Sequence, residues 1–284
     1  MSMVGPMLEG YEQFSFAAKN TRHCVYYRGE QYNPPILLLQ ELPGLSPGLL
    51  SFAERLCDDG FRVYLPWLFG PVGARAPVKN ALRLCISREF SYLRAGVSAP
   101  VTEWLRALAS QISSIHRGSD VGAIGMCITG AFAIPLILNP HVKAAVAAQP
   151  SVPCFPLFAA MGIGRGDWMK ALNVSAEDID AARSRLNRGE AKMLSVRYRA
   201  DRICPKEKLQ RLRDEFPTGL EIREYGESDA RNGLGHRPHA TYTKEYRIAP
   251  KEDASHSSRQ AYADLIEFLK KNLSTSSGGG LGWG

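Results

Sequence analysis

The sequence predicts an α/β fold: an open, mostly parallel central sheet with helices on both faces and a cap or lid insertion. Short apolar runs, amphipathic stretches between them, and the regular exchange of one for the other carry this expectation. Pro34-Pro35 leads into Ile36-Leu37-Leu38-Leu39, too short for a helix and apolar on both faces, as a central parallel strand should be. Leu49, Leu50, Ala53, Leu56 and Cys57 then recur at helical spacing until Gly60, the residue type that ends helices in a left-handed cap. Phe61 to Leu65 reads as the next strand. Trp104, Leu105, Leu108, Ile112 and Ile115 mark a second helix, Val121 to Ile124 the strand after it, and Ala131 to Leu138 a further helix. Lys143 to Ala148, Met193 to Tyr198 and Leu220 to Tyr225 supply three more strands, and a helix over Arg259 to Lys271 closes the fold.

Between Gln149 and Lys192 the alternation lapses. Pro150, Pro153 and Pro156 break the chain, and Ser175-x-x-Asp178 opens a capped helix through Leu186. Residues of about 150–192 therefore read as a cap on one domain covering 20–273, followed by a flexible tail over 274–284. With 45% hydrophobic and 22% charged residues in 284, the chain has apolar surface enough to offset its entropy, which excludes disordered and collagen-like classes. The longest purely apolar runs are less than half of the ~20 residues a membrane-spanning helix requires. Met1 to Gln13 carries two acids and no apolar core of a secretory signal, so a cytoplasmic location is expected.

Six cysteines, at 24, 57, 85, 127, 154 and 204, show no C-x-x-C spacing and are read as free thiols, with no metal and no cofactor expected. The net charge of +7 is concentrated between Arg183 and Arg213, where eleven Lys and Arg face three acids. Spaced basic residues on a helix are most often a solvated face. Without aromatic interleaving or a binding motif, they do not point to nucleic acid, and no membrane partner is expected.

Gly125-Met126-Cys127-Ile128-Thr129-Gly130 stands where a strand should turn abruptly into a helix. A nucleophile at the apex of such a turn is held in a strained backbone conformation, clear of the sheet and over the amino end of the helix, whose dipole favours a thiolate. Here the chain resembles the dienelactone hydrolase family of α/β-hydrolases, whose elbow reads Gly-x-Cys-x-Gly-Gly; Thr129 departs from it. Leu39-Gln40-Glu41-Leu42 with Pro43-Gly44 looks like the family's glutamate after its first long strand, and Tyr198-Arg199-Ala200-Asp201-Arg202-Ile203-Cys204-Pro205 like its acid-bearing turn. The resemblance implies an α/β-hydrolase fold. It also implies that Glu41 contacts the resting thiol, and that the backbone N–H groups of Leu42 and Ile128 form the oxyanion hole.

A thiol nucleophile needs an imidazole to take its proton and a carboxylate to orient that imidazole. Cys127, Asp201 and a later histidine follow the α/β-hydrolase chain order of nucleophile, acid and base. His236 and His239 compete for the last place; His239-Ala240-Thr241 looks more like the family's histidine segment. A metal pair at His-x-x-His lacks further ligands nearby. His23, His116, His141 and His256 are expected on surface elements. The expected activity is hydrolysis of lactones or small carboxylic esters through a Cys-His-Asp triad and a thioester acyl-enzyme, by a monomer or homodimer whose partner is its small-molecule substrate. No carboxylate anchor carries over from the family: position 243 is Thr, and neither Arg83 nor Arg88 is assigned to a family arginine. A catalytically silent scaffold, binding a small molecule or partner or using Cys127 as a redox switch, is the alternative.

Overall fold

The computed structural model describes residues 5–73, 101–151, 165–226, 238–249 and 253–273. Eight strands form one sheet in the order β1-β2-β4-β3-β5-β6-β7-β8. They are β1 (Glu12–Ala18), β2 (Thr21–Arg28), β3 (Pro35–Leu38), β4 (Arg62–Pro66), β5 (Val121–Met126), β6 (Val142–Ala148), β7 (Lys192–Tyr198) and β8 (Leu220–Tyr225). From β4 to β8 every neighbouring pair is parallel. The apolar runs explain the arrangement: β3 and β5 are buried at every position, which suits strands covered on both faces.

Each face carries its own packed layer. One gathers Leu37, Leu39, Ala123 and Ala145 with Trp104, Leu105 and Leu108 of α2 (Val101–Ile115). The other gathers Ile36, Leu38, Ile124 and Val146 with Leu49, Phe52 and Leu56 of α1 (Pro47–Asp58) and Leu265 and Leu269 of the last helix (Ser257–Asn272). Successive residues of one strand thus serve opposite layers.

Two expectations change. First, β1 and β2 form an antiparallel hairpin on the sheet edge, in register from Glu12–Tyr27 to Ala18–Thr21, where no strand was expected. Its two-residue turn, Lys19-Asn20, has φ of 50° and 60°, the paired positive values of the turn type whose twist matches a hairpin. Second, the helix expected over Ala131 to Leu138 is a 3-10 stretch, Cys127–Phe132, and a short α-helix, α3 (Ala133–Leu136). Pro135 accounts for the break: a proline is accommodated in the first turn of an α-helix and not farther in.

The described part of the expected cap follows β6. Its helices are α4 (Arg165–Lys170) and α5 (Ala176–Asn187). Helix α5 starts with Ser175 Oγ accepting from Asp178 N at 3.1 Å and buries Ile179, Ala182 and Leu186 in the first layer. It is a crossover between parallel neighbours β6 and β7. Residues 152–164 of that segment, Arg83 and Arg88, and the tail at 274–284 lie outside the described residues. The basic stretch also finds partners: Arg183 pairs with Asp180 and Glu215, Arg188 with Glu190, and Arg197 with Glu224.

Candidate active site

The site grows out of the carboxyl ends of β3, β5, β6, β7 and β8, which lie side by side in the sheet. At the end of β5, Cys127 has φ 54°, a left-handed conformation uncommon for a residue with a Cβ. The two elbow glycines explain why this turn closes. A Cβ on Gly125 would lie 2.2 Å from the Thr129 carbonyl oxygen, and one on Gly130 would lie 2.7 Å from Pro150 Cα.

Thr129, the departure from the family pattern, ties the elbow together. Its Oγ1 accepts from Met126 N at 3.0 Å and lies within hydrogen-bond distance of the carbonyls of Met126, at 3.0 Å, and Gln40, at 3.1 Å. Thus the nucleophile turn is bonded to the loop after β3, which carries Glu41 and Leu42.

Asp201 follows β7 and is 3% exposed. Its Oδ1 accepts from the amides of Ile203 at 2.8 Å and Cys204 at 3.0 Å, which leaves Oδ2 for the imidazole. His239 Nδ1 lies 2.7 Å from that oxygen. Burial works against a charged His239 ring, but the electrostatic interaction with Cys127 and the hydrogen bond to Asp201 outweigh it and lift its pKa well above the usual value. The other ring nitrogen, Nε2, is buried and has no hydrogen-bond partner among the described residues. The expected pairing of His239 with Asp201 is therefore present; His236 lies outside the described residues.

Glu41 has different partners from those the resemblance implied. One carboxylate oxygen accepts from Thr243 Oγ1 and the other from Gln149 Nε2 at 3.4 Å. Burial pushes its pKa up, opposed by Thr243, by the nearby His239 charge and by Gln149. The Cys127 sulfur instead lies 3.1 Å from Ser151 Oγ. Leu42 directly follows Glu41, and Ile128 follows Cys127. Their amides extend from neighbouring strand ends, since Leu39 N bonds Ile124 O at 2.8 Å.

Of the four histidines expected on surface elements, His141 is half-buried and the other three are buried. His23 is 7% exposed, with its ring 4.9 Å from that of Trp104. His116 Nε2 lies 2.9 Å from Tyr64 Oη, and His256 Nδ1 accepts from Ser258 N at 3.2 Å. Both are buried. Among the described residues, no group of three or more His, Cys, Asp or Glu is placed to hold a metal ion, and no helix is long and apolar enough to cross a membrane.

Sequence reasoning missed Ser151 and Gln149. No motif marks them, although a turn after a strand beside β5 must border the elbow.

The dienelactone hydrolase family model matches residues 23–165. No curated protein matches. Among solved structures, the chain is similar to one assigned as a dienelactone hydrolase of Klebsiella pneumoniae subsp. pneumoniae, at 17% identity and TM-score 0.64, covering 92% of this chain and 98% of that one. It is similar to the dienelactone hydrolase-like promiscuous phosphotriesterase P91 from metagenomic libraries at 16% identity and TM-score 0.57, over 93% and 98% of the two chains. The Pyrococcus furiosus esterase Pf2001 matches at 13% identity and TM-score 0.54, over 96% and 99%. At such identities these structures speak for the fold alone.

Proposed function

The chain belongs to the dienelactone hydrolase family, and on that footing we propose that it hydrolyses lactones or small carboxylic esters through Cys127, His239 and Asp201. One observation carries the reading: Asp201 holds Nδ1 of His239 at 2.7 Å, while Nε2, buried and without a hydrogen-bond partner among the described residues, is left to take the proton of the cysteine at the positive-φ elbow. That is the relation a base needs with its nucleophile and its orienting acid.

In the reaction, Cys127 Sγ passes its proton to His239 Nε2 and attacks the carbonyl carbon. The carbonyl oxygen becomes an oxyanion, held by the amides of Leu42 and Ile128. As the carbon–oxygen ester bond breaks, the leaving alkoxide takes the proton from His239 and a thioester remains. Water then gives a proton to His239 and attacks the thioester, and the thiolate departs. Asp201 stabilises the charged ring in both halves. Glu41 stands near His239 as a buried acid held by Thr243 and Gln149.

Hydrolysis of short p-nitrophenyl esters and a lactone panel tests this reading. Cys127→Ala and His239→Ala should each lower kcat/KM by roughly a thousandfold or more, whereas His236→Ala should stay within about tenfold of the parent. Undiminished hydrolysis in both of the first two variants overturns the triad.

A further inference from the structure

The turn after β6 meets both the elbow and the loop that carries Glu41. Gln149, at φ 35°, sends its side chain to Glu41. Pro150 fills the space that a Cβ on Gly130 would need, at 2.7 Å. Ser151 then grips Cys127 from both ends: its amide donates to the Cys127 carbonyl at 2.9 Å, and its Oγ lies 3.1 Å from Sγ. Ser151 is 5% exposed, so water competes little for that hydroxyl.

We propose that Ser151 is a further catalytic residue of this site, donating a hydrogen bond from Oγ to the Cys127 sulfur after the thiol proton has moved to His239. The proposal rests on the triad reading above. A hydroxyl donating to an anionic sulfur makes a charge-assisted bond, stronger than the one it makes with a neutral thiol, so it favours the nucleophilic form. Glu41, occupied by Thr243 and Gln149, does not meet the sulfur; Ser151 takes that place from the other side of the elbow. No covalent bond changes in this step, and the only proton transferred is the one from Sγ to Nε2.

The titratable groups around the sulfur come from several elements. They are His239 and Asp201 in the loops after β8 and β7, Glu41 after β3, and Cys204, whose thiol interacts electrostatically with Cys127. Lys208, on the helix Lys206–Glu215, lines the same recess as Ser151. A test must therefore change Ser151 alone and follow the sulfur itself.

The measurement is the rate of iodoacetamide alkylation at Cys127 from pH 5 to 10, resolved by peptide mass spectrometry in the intact protein without substrate. Ser151→Ala should slow alkylation about 3- to 10-fold on the acidic side of the profile, and Ser151→Thr should restore most of the loss. Equal or faster alkylation in Ser151→Ala overturns the proposal, as does a loss that Ser151→Thr fails to recover, which would mark repacking of the turn. Because no ester is present, the result does not depend on whether the chain hydrolyses esters; failure of the hydrolase reading shows separately, in the p-nitrophenyl assay.

Discussion

Thr129 shows how one side chain can replace a motif's small residue without loosening it. Where the family's elbow has glycine, this chain has a fully buried hydroxyl that satisfies Met126 N and reaches the Gln40 carbonyl. Thr129→Val keeps the shape and removes the oxygen, leaving a buried donor and acceptor short of a partner. Denaturant unfolding should record a loss of about 1–3 kcal/mol, with Thr129→Ser recovering most of it. A valine variant as stable as the parent would deny the hydroxyl this role. The nucleophile was legible because two glycines frame it and the reason they do is steric. Ser151 was not, because a single serine among prolines carries no spacing signal; only the position of its strand beside β5 gives it a function.

Among the elements, the central strands were readable and the edge hairpin was not. Residues Ile36 to Leu39 are apolar on both sides, and only a strand covered on both faces accommodates that. The edge strand β1 is at most partly buried at every position, and the hairpin's turn is Lys-Asn in place of the Asn-Gly that announces this conformation. Replacing Lys19-Asn20 by Asn-Gly should relieve the positive φ of Lys19 and raise stability by about 1 kcal/mol, seen as a higher Tm. An unchanged or lower Tm would mean that Lys19 is not held at a cost. Within the segment expected as a cap, Ile179, Ala182 and Leu186 repeat at helical spacing and pack into the core.

Over the whole molecule, five adjacent parallel strands deliver Glu41, Cys127, Ser151, Asp201 and His239 to one edge, so the topology brings together residues spread over almost two hundred positions. The same compactness buries histidines, and their titration governs stability against pH in two separate windows. His116 sits in the core beside Tyr64, and burial first, then the Arg62 charge, lowers its pKa to about 4. Above pH 6.5 neither the folded nor the unfolded chain protonates it. Between 6.5 and 4 the unfolded chain binds a proton that the folded chain refuses, so stability falls as pH drops, by at most about 1.4 kcal/mol per unit; below 4 the loss ends. His239 has the opposite sign: its raised pKa stabilises the fold at low pH, and that contribution is lost as pH rises through the folded-state value, on the alkaline side of 6.5. The two slopes do not overlap. His116→Gln keeps a hydrogen-bonding group for Tyr64 and removes the titration, while the carboxylate contributions cancel between variant and parent. Its unfolding free energy, measured in urea from pH 4 to 6.5, should fall less steeply than the parent's, with the gap closing above 6.5; parallel curves would show that His116 charges as readily folded as unfolded.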